Sequence, residues 1–214
     1  MDELLITNTR AEHVPQLVDL QIVCYPTLAD TSRLKAPHFE SHLRIFPEGQ
    51  WVALHGERVV GMSAGFLYTF DFDHLQHTFD DIIGYGFFTR HDPQGQHFYG
   101  ADVSVHPDYR GRGIGRRLYD ARKALVRRLG RRGIVAGAMI PGFARYKSMM
   151  DAPTYVARVV AGEIFDPTLS VQLRQGFRVR GLLPNYLPDT ATDGWSVLIE
   201  WVSSSWLHGA NSPS

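Results

Sequence analysis

The stretch FYGADVSVHPDYRGRGIGRRLYDARKAL, residues 98–125, constrains the fold more tightly than any other part of the chain. Phe98–Val105 is an apolar run of strand length. From Ile114 to Gly130, apolar Ile114, Leu118, Ala121, Leu125 and Leu129 recur at helical spacing. Between them Gly111, Gly113 and Gly115 permit a sharp reversal. A strand that passes through such a turn straight into a helix aims the unpaired N–H groups of the first helical turn at the turn itself. With Arg110 and Arg112 alongside, this is an anion site, and the expected ligand carries phosphate or pyrophosphate.

Two familiar phosphate motifs fail here. A P-loop needs Lys and then Ser or Thr after its last glycine, but Gly115 is followed by Arg116–Arg117. A dinucleotide fingerprint needs G-x-G-x-x-G and an acidic residue after the next strand. The spacing here is G-x-G-x-G, and no acidic residue ends the strand at Ile140.

The rest of the chain supplies mixed elements. Leu4–Thr9 reads as a strand, Ala11–Val23 as a helix stopped by Pro26, and Pro37–Phe46 as a second helix. Trp51–His55 and Arg58–Tyr68 read as a hairpin about Gly56–Glu57. Asp71–Asp81 is an acidic, aromatic loop, and Ile82–Thr89 is expected to be a strand. Ile134–Ile140 is a buried strand, Thr154–Ala161 a short helix, and Asp166–Pro167 open another helix with Asp as cap. Phe177–Leu183 and Trp195–Val202 are the last strands. Such mixing around one sheet gives an α/β or α+β layer fold.

Charge is balanced, with 22 basic and 22 acidic residues, so no global attraction to nucleic acid or anionic membrane is implied. Cys24, the single cysteine, excludes an internal disulfide and a thiolate-rich zinc site. MDELLITNTR lacks a basic-then-apolar leader, and no run approaches 18 apolar residues. The expectation is a cytoplasmic protein that does not enter the membrane. Locally, Arg110–Arg132 holds ten basic residues and one acidic, Asp120. Arg116, Lys123, Arg127 and Arg131 align at helical spacing, so a nucleic-acid surface competes with a solvated helix face. The latter is preferred because the interleaved aromatics of a single-strand platform are missing.

Arg110, Gly113 and Gly115 match R/Q-x-x-G-x-G/A, with HPDY before them and the strand and helix on either side. In that setting the chain resembles the GNAT superfamily of N-acetyltransferases. The early helices, the Trp51–Tyr68 hairpin, QLRQGF and VRGLLPNY fall in the same order, so the resemblance covers about residues 4–202. THDPQG, FYGADVSVHP, YVARVVAGEIFDPTL and LPNYLPD further resemble the acetyltransferase-type domain found beside bacterial nitrilase-like carbon–nitrogen hydrolases. The resemblance implies a single mixed, mostly antiparallel sheet flanked by helices. It implies one domain over 1–205, with a helical insertion at 141–165 and a flexible tail at 206–214. It implies acetyl-CoA as acyl donor, a small-molecule or protein amine as acceptor and no metal, and it leaves room for a homodimer. Pyrophosphate would lie on Gly111, Arg112, Gly113, Ile114, Gly115 and Arg116 beside Arg110, and pantetheine along Val103, Ser104 and Val105.

Catalysis is less plainly written. An amine must lose a proton and the leaving thiolate must gain one. Asp102 interrupts an apolar strand; alternation puts it with Gly100 and Ser104 on one face, where burial would raise its pKa, and it is the candidate base. Many relatives of this type carry the acid tyrosine within F-Y-x-x-x-G-F. Here Val171 and Gln172 fill those positions, and Gln172 cannot act as an acid. Tyr146, Tyr155 and Tyr186 are the substitutes, and loss of the thiol as thiolate is an alternative. His91–Asp92 and the Asp73/His74/His77 loop read better as turn residues than as catalytic or metal groups. A non-catalytic acyl-CoA-binding domain is the competing reading.

Overall fold

The computed structural model describes residues 4–204 and residue 206, so the expected tail lies outside the described residues apart from Trp206. Strands β1 (Leu4–Asn8), β2 (Trp51–His55), β3 (Arg58–Tyr68), β4 (His97–Val105), β5 (Gly133–Met139), β6 (Arg178–Leu183) and β7 (Ser196–Val202) form one sheet. Their order is β1-β2-β3-β4-β5-β7-β6. Every neighbouring pair is antiparallel except β4 with β5. The helices are α1 (Val14–Cys24), α2 (Ala36–Ile45), α3 (Phe79–Ile82), α4 (Ile114–Arg128), α5 (Ala152–Val160) and α6 (Leu169–Arg174). A parallel pair cannot be joined by a hairpin, and α4 is the crossover between β4 and β5. This is the mixed, mostly antiparallel sheet flanked by helices that the sequence led us to expect.

Neighbouring residues of β3 fix the layers, because alternate side chains point to opposite faces. Met62 meets Gln21 of α1, with Nε2 to Sδ at 3.5 Å. Ser63 meets Arg122 of α4, with Nε to Oγ at 2.5 Å. Helices α1 and α2 therefore cover one face and α4 the other. Ile114, Leu118, Leu125 and Val126 of α4 are buried, a gross gain of roughly 8 kcal/mol at about 2 per side chain. The surface pair Arg128–Glu48, at 2.6 Å and well exposed, adds under about 1 kcal/mol. Apolar burial decides where α4 sits.

Two local expectations change. Ile82–Thr89 is not a strand: the chain forms α3 and then turns, with positive φ at Gly84, Tyr85, Gly86 and Phe88. Thr78 caps α3, and Ser41 and His42 of α2 bind the carbonyls of Phe87 and Gly86, which a strand would have used for pairing. Pro167 lies before α6 rather than inside it. Asp166 is buried and still caps, its Oδ1 accepting from the amides of Thr168 and Leu169. Its Oδ2 accepts from Gly142 N–H and the Tyr155 hydroxyl, which fastens the 141–165 segment to the core. Among the described residues no helix is long and apolar enough to cross a membrane.

Two buried histidines set an acid limit. His42 stacks on Phe88 at 3.5 Å, and burial lowers its pKa to about 3. Burial, and then Arg132, lowers His97 to about 4. Both pKa values fall below the unfolded value of 6.5, so the unfolded chain takes up these protons first. Their contribution is full above about pH 6.5 and is lost as pH falls toward 4. Urea denaturation at about pH 7 and about pH 5 should show a loss of up to roughly 4 kcal/mol, with His42→Phe removing about half of it. An unchanged midpoint would contradict this.

Candidate active site

The β3–β4 register shifts once. Ala64 pairs with Asp102 but Gly65 pairs with Gly100, leaving Ala101 as the extra residue of a bulge. Asp102 and Gly100 therefore face opposite sides of the sheet, which corrects the expectation that they share one. Simple alternation cannot reveal an inserted residue. Gly100 lies under Arg122 Nη1 on the α4 side; Asp102 meets Gln21 and Tyr25 on the α1 side.

Arg122 is fully buried. Its Nε donates to Ser63 Oγ at 2.5 Å, and its Nη2 donates to the carbonyls of Ala64, at 2.7 Å, and Asp102. These bonds lie beside the bulge. Desolvation lowers its pKa to about 10, so it remains cationic at neutral pH. In sequence it was lost within a basic run. Its spacing from Leu118 and Leu125 was the signal, since it falls on the apolar stripe.

Asp102 Oδ1 accepts from the Tyr25 hydroxyl at 2.5 Å, and Oδ2 from Gln21 Nε2 at 2.6 Å. Burial raises its pKa above the ordinary carboxylate range, opposed by those two bonds and by Arg122. Cys24 lies beside it, and burial together with Asp102 raises the thiol to about 11. Cys24 is thus a protonated neighbour at neutral pH, not a nucleophile.

At the other end of β4 the glycine turn takes the expected form. Gly111 and Gly113 have φ of 77° each, in the left-handed region, and Gly113 is the N-cap of α4. Arg117 N–H to the Gly113 carbonyl, at 3.1 Å, is the first intrahelical bond. The amides of Gly113, Ile114, Gly115 and Arg116 are left without intrahelical partners. Arg110 Nε donates to the Val105 carbonyl at 3.1 Å, tying the turn to β4. Arg112 donates to the Asp108 carbonyl and lies over the Tyr109 ring. Arg116 is exposed and meets no acceptor among the described residues. The expected basic face is otherwise committed. Lys123 binds the Gln175 carbonyl, Lys123 and Arg127 lie over Trp201, and Arg131 binds the Pro93 carbonyl.

Between these two ends β4 and β5 part. They pair only at His97–Gly133, Phe98–Ile134 and Tyr99–Val135. Beyond Tyr99, Gly100–Val105 keeps β3 on one side and loses β5 on the other. Six residues of strand, about 20 Å, separate this parting from the turn. The cleft thus offers a long unpaired strand edge with an amide-lined phosphate cradle at its mouth, and Val103, Ser104 and Val105 lie along that edge. These donors fit the diphosphate and amide-bearing arm of an acyl-CoA.

At the closed end, Tyr186 packs directly on Gly137 of β5, where a Cβ would stand 2.2 Å from the ring. Its hydroxyl is 2.9 Å from that of Tyr99, which is 2.8 Å from His77 Nε2. From sequence Tyr186 was a candidate, His77 read as a loop residue and Tyr99 was not singled out, because three separate segments bring them together. On the α4 side Gln172 is buried and its Nε2 donates to the Tyr119 hydroxyl at 3.0 Å. Tyr146 packs against Tyr155, whose hydroxyl is held by Asp166; the structure joins neither to Asp102 or Tyr186. His91 accepts from the Leu67 amide, Asp92 from the Gln94 amide, and His74 pairs with Asp71 on the surface.

Residues 14–141 match the acetyltransferase (GNAT) family. The chain belongs to the GNAT family. It is 40% identical over 206 residues to "Probable hydrolase YhcX" of Bacillus subtilis (strain 168), a match that covers 96% of this chain and spans only 40% of that protein's length. It is 32% identical over 203 residues to "Uncharacterized N-acetyltransferase YkwB" of the same organism, covering 94% of this chain and 89% of that one. Among solved structures, the GNAT-like decarboxylase GphF in complex with isobutyryl-CoA superposes with a TM-score of 0.80 at 23% identity, over 92% of this chain and 98% of that one. That likeness shows the fold. The chain therefore has the family and the acyl-CoA-binding fold of the GNAT superfamily.

Gly115 gives a clean test of the cradle. It lies within α4 without a left-handed φ, and nothing stands within 4 Å of an added Cβ. Gly115→Glu should keep or slightly raise the melting temperature, since glycine is a poor helix residue. It should weaken acetyl-CoA binding by calorimetry at least tenfold, about 1.4 kcal/mol. Unchanged affinity would remove the cradle from this turn.

Proposed function

We propose that this chain is an acetyl-CoA-dependent N-acetyltransferase that moves the acyl group directly from the thioester to an amine. The observation that carries this reading is the parting of β4 from β5 at Tyr99–Val135, in line with the free amides at the start of α4. The amides of Gly111–Arg116, with Arg116 as a free cation, hold the diphosphate, and Arg110 braces the turn against Val105. Bound coenzyme supplies the activated acyl group. The residues along β4 keep its arm extended, with Val103, Ser104 and Val105 as its edge.

Asp102 takes a different part from the one its sequence position suggested. With both carboxylate oxygens bound to α1 and its end, it orients Tyr25 and Gln21 at the cleft. A direct role as base would require breaking those bonds. Acidic Asp71 and Asp73 of the loop and Asp80 and Asp81 of α3, all before β4, suit a cationic acceptor, and the amine is taken to enter from that side. The resemblance to the acetyltransferase-type unit beside carbon–nitrogen hydrolases rests on the sequence motifs alone; the relative named a probable hydrolase, of which this chain spans 40%, carries no such carbon–nitrogen chemistry in its name. The hydrolase activity of that relative's name is not assigned to this chain.

A second reading, an acyl-CoA-binding domain without transfer, is favoured by one observation: Gln172, bound to Tyr119, offers no acid. Coenzyme release measured by thiol titration over a panel of alkylamines, polyamines and peptide N-termini separates the two. Transfer predicts release that depends on both acetyl-CoA and an amine. Acetyl-CoA binding with no release for any amine would replace the transferase reading with the binding domain.

A further inference from the structure

The closed end of the cleft holds a chain of hydrogen bonds with a fixed direction. His77 Nδ1 lies 2.7 Å from the Leu75 carbonyl, which can only accept, so Nδ1 carries the hydrogen. In neutral His77 the other nitrogen, Nε2, is then an acceptor, and the Tyr99 hydroxyl at 2.8 Å donates to it. Tyr99 has one hydroxyl hydrogen, so it must accept from Tyr186 at 2.9 Å. Tyr186 in turn packs on Gly137, on the stretch of β5 that has left β4. Tyr99 and Tyr186 are buried, whereas His77 is half-buried at the outer end.

We infer that Tyr186, Tyr99 and His77 form a proton relay that takes the proton from the attacking amine and returns it to the leaving thiol. This rests on the transferase reading above. The neutral amine attacks the thioester carbon; a C–N bond forms, and the C–S bond breaks with its electron pair on sulfur. The excess proton on nitrogen passes to Tyr186 Oη as Tyr186 gives its own to Tyr99 and Tyr99 gives its own to His77 Nε2. Each hydrogen bond is then reversed, so the same relay points back into the cleft and can protonate the thiolate. The products are the amide and the free thiol, and His77 ends neutral as it began.

The charges around His77 agree with a base that is free at neutral pH. Burial lowers its pKa below 6.5; the Leu75 carbonyl opposes this, Arg90 adds to it, and Asp81 of α3 opposes it. Tyr99 and Tyr186 face it from β4 and from the β6–β7 connection. Burial raises both phenols above their ordinary value, so they pass protons without ionising on their own. The alternatives on this face are spent: Asp102 is tied to α1, and Cys24 is protonated.

Two measurements test the relay. In the free protein, 15N NMR should find His77 as the Nδ1–H tautomer with Nε2 accepting; an Nε2–H tautomer would reverse the chain and overturn the inference. In acetyl transfer, His77→Gln keeps an acceptor for Tyr99 but removes the titrating base. It should leave acetyl-CoA affinity unchanged, lower kcat about a hundredfold and abolish the fall in kcat below about pH 6.5. Tyr186→Phe should lower kcat similarly while the His77 tautomer persists. Transfer whose pH profile is unmoved in both variants overturns the relay alone. A wild-type protein that acetylates no amine overturns the transferase reading and the relay with it.

Discussion

The site depends on one buried cation. Arg122 lies on the α4 face of the sheet and holds Ser63, Ala64 and Asp102 beside a single-residue bulge. Desolvating a guanidinium costs several kcal/mol unless its bonds and charge are answered. Here three acceptors and the Asp102 carboxylate beyond the strand answer it. The bulge turns Gly100 toward α4 and Asp102 toward α1, and it comes just where β4 leaves β5. Without it, β4 would continue in register and present the wrong faces along the cleft.

This arrangement divides the work between the two sides of the sheet. On the α4 side the free amides of the first helical turn and Arg116 make a positive mouth, while Gln172 and Tyr119 close the wall with a neutral hydrogen bond. On the α1 side polar groups are buried in connected sets, Asp102 with Gln21 and Tyr25, and Tyr186 with Tyr99 and His77. Buried polar groups are costly when unpaired and specific when fully paired. In the proposed reading, the richer network lies opposite the helix assigned to phosphate, which keeps donor binding apart from proton handling.

Much of the fold was legible because its signals are local. The glycine turn, the amphipathic α4 and the apolar strands each announce themselves within about a dozen residues. The failures share a physical cause: they depend on what is distant in sequence. Ile82–Thr89 has strand composition, yet α2 takes its carbonyls and positive φ angles bend it away. The bulge depends on the partner strand, so alternation put Gly100 and Asp102 together when the sheet separates them. Arg122 and Lys123 were counted with the exposed charges of α4, but both are buried. In the candidate site, the form of the glycine turn was readable from its spacing; the contacts of Tyr186 were not, because His77, Tyr99 and Tyr186 meet only after the sheet and the β6–β7 connection close.

The most direct test is a structure determined with a non-reactive acetyl-CoA analogue. The diphosphate should lie on the amides of Gly111–Arg116, the arm along Val103–Val105 between the parted strands, and the acyl end within hydrogen-bond reach of the Tyr186 hydroxyl. An analogue bound away from the β4–β5 cleft, or an acyl end that never approaches Tyr186, would contradict this assignment.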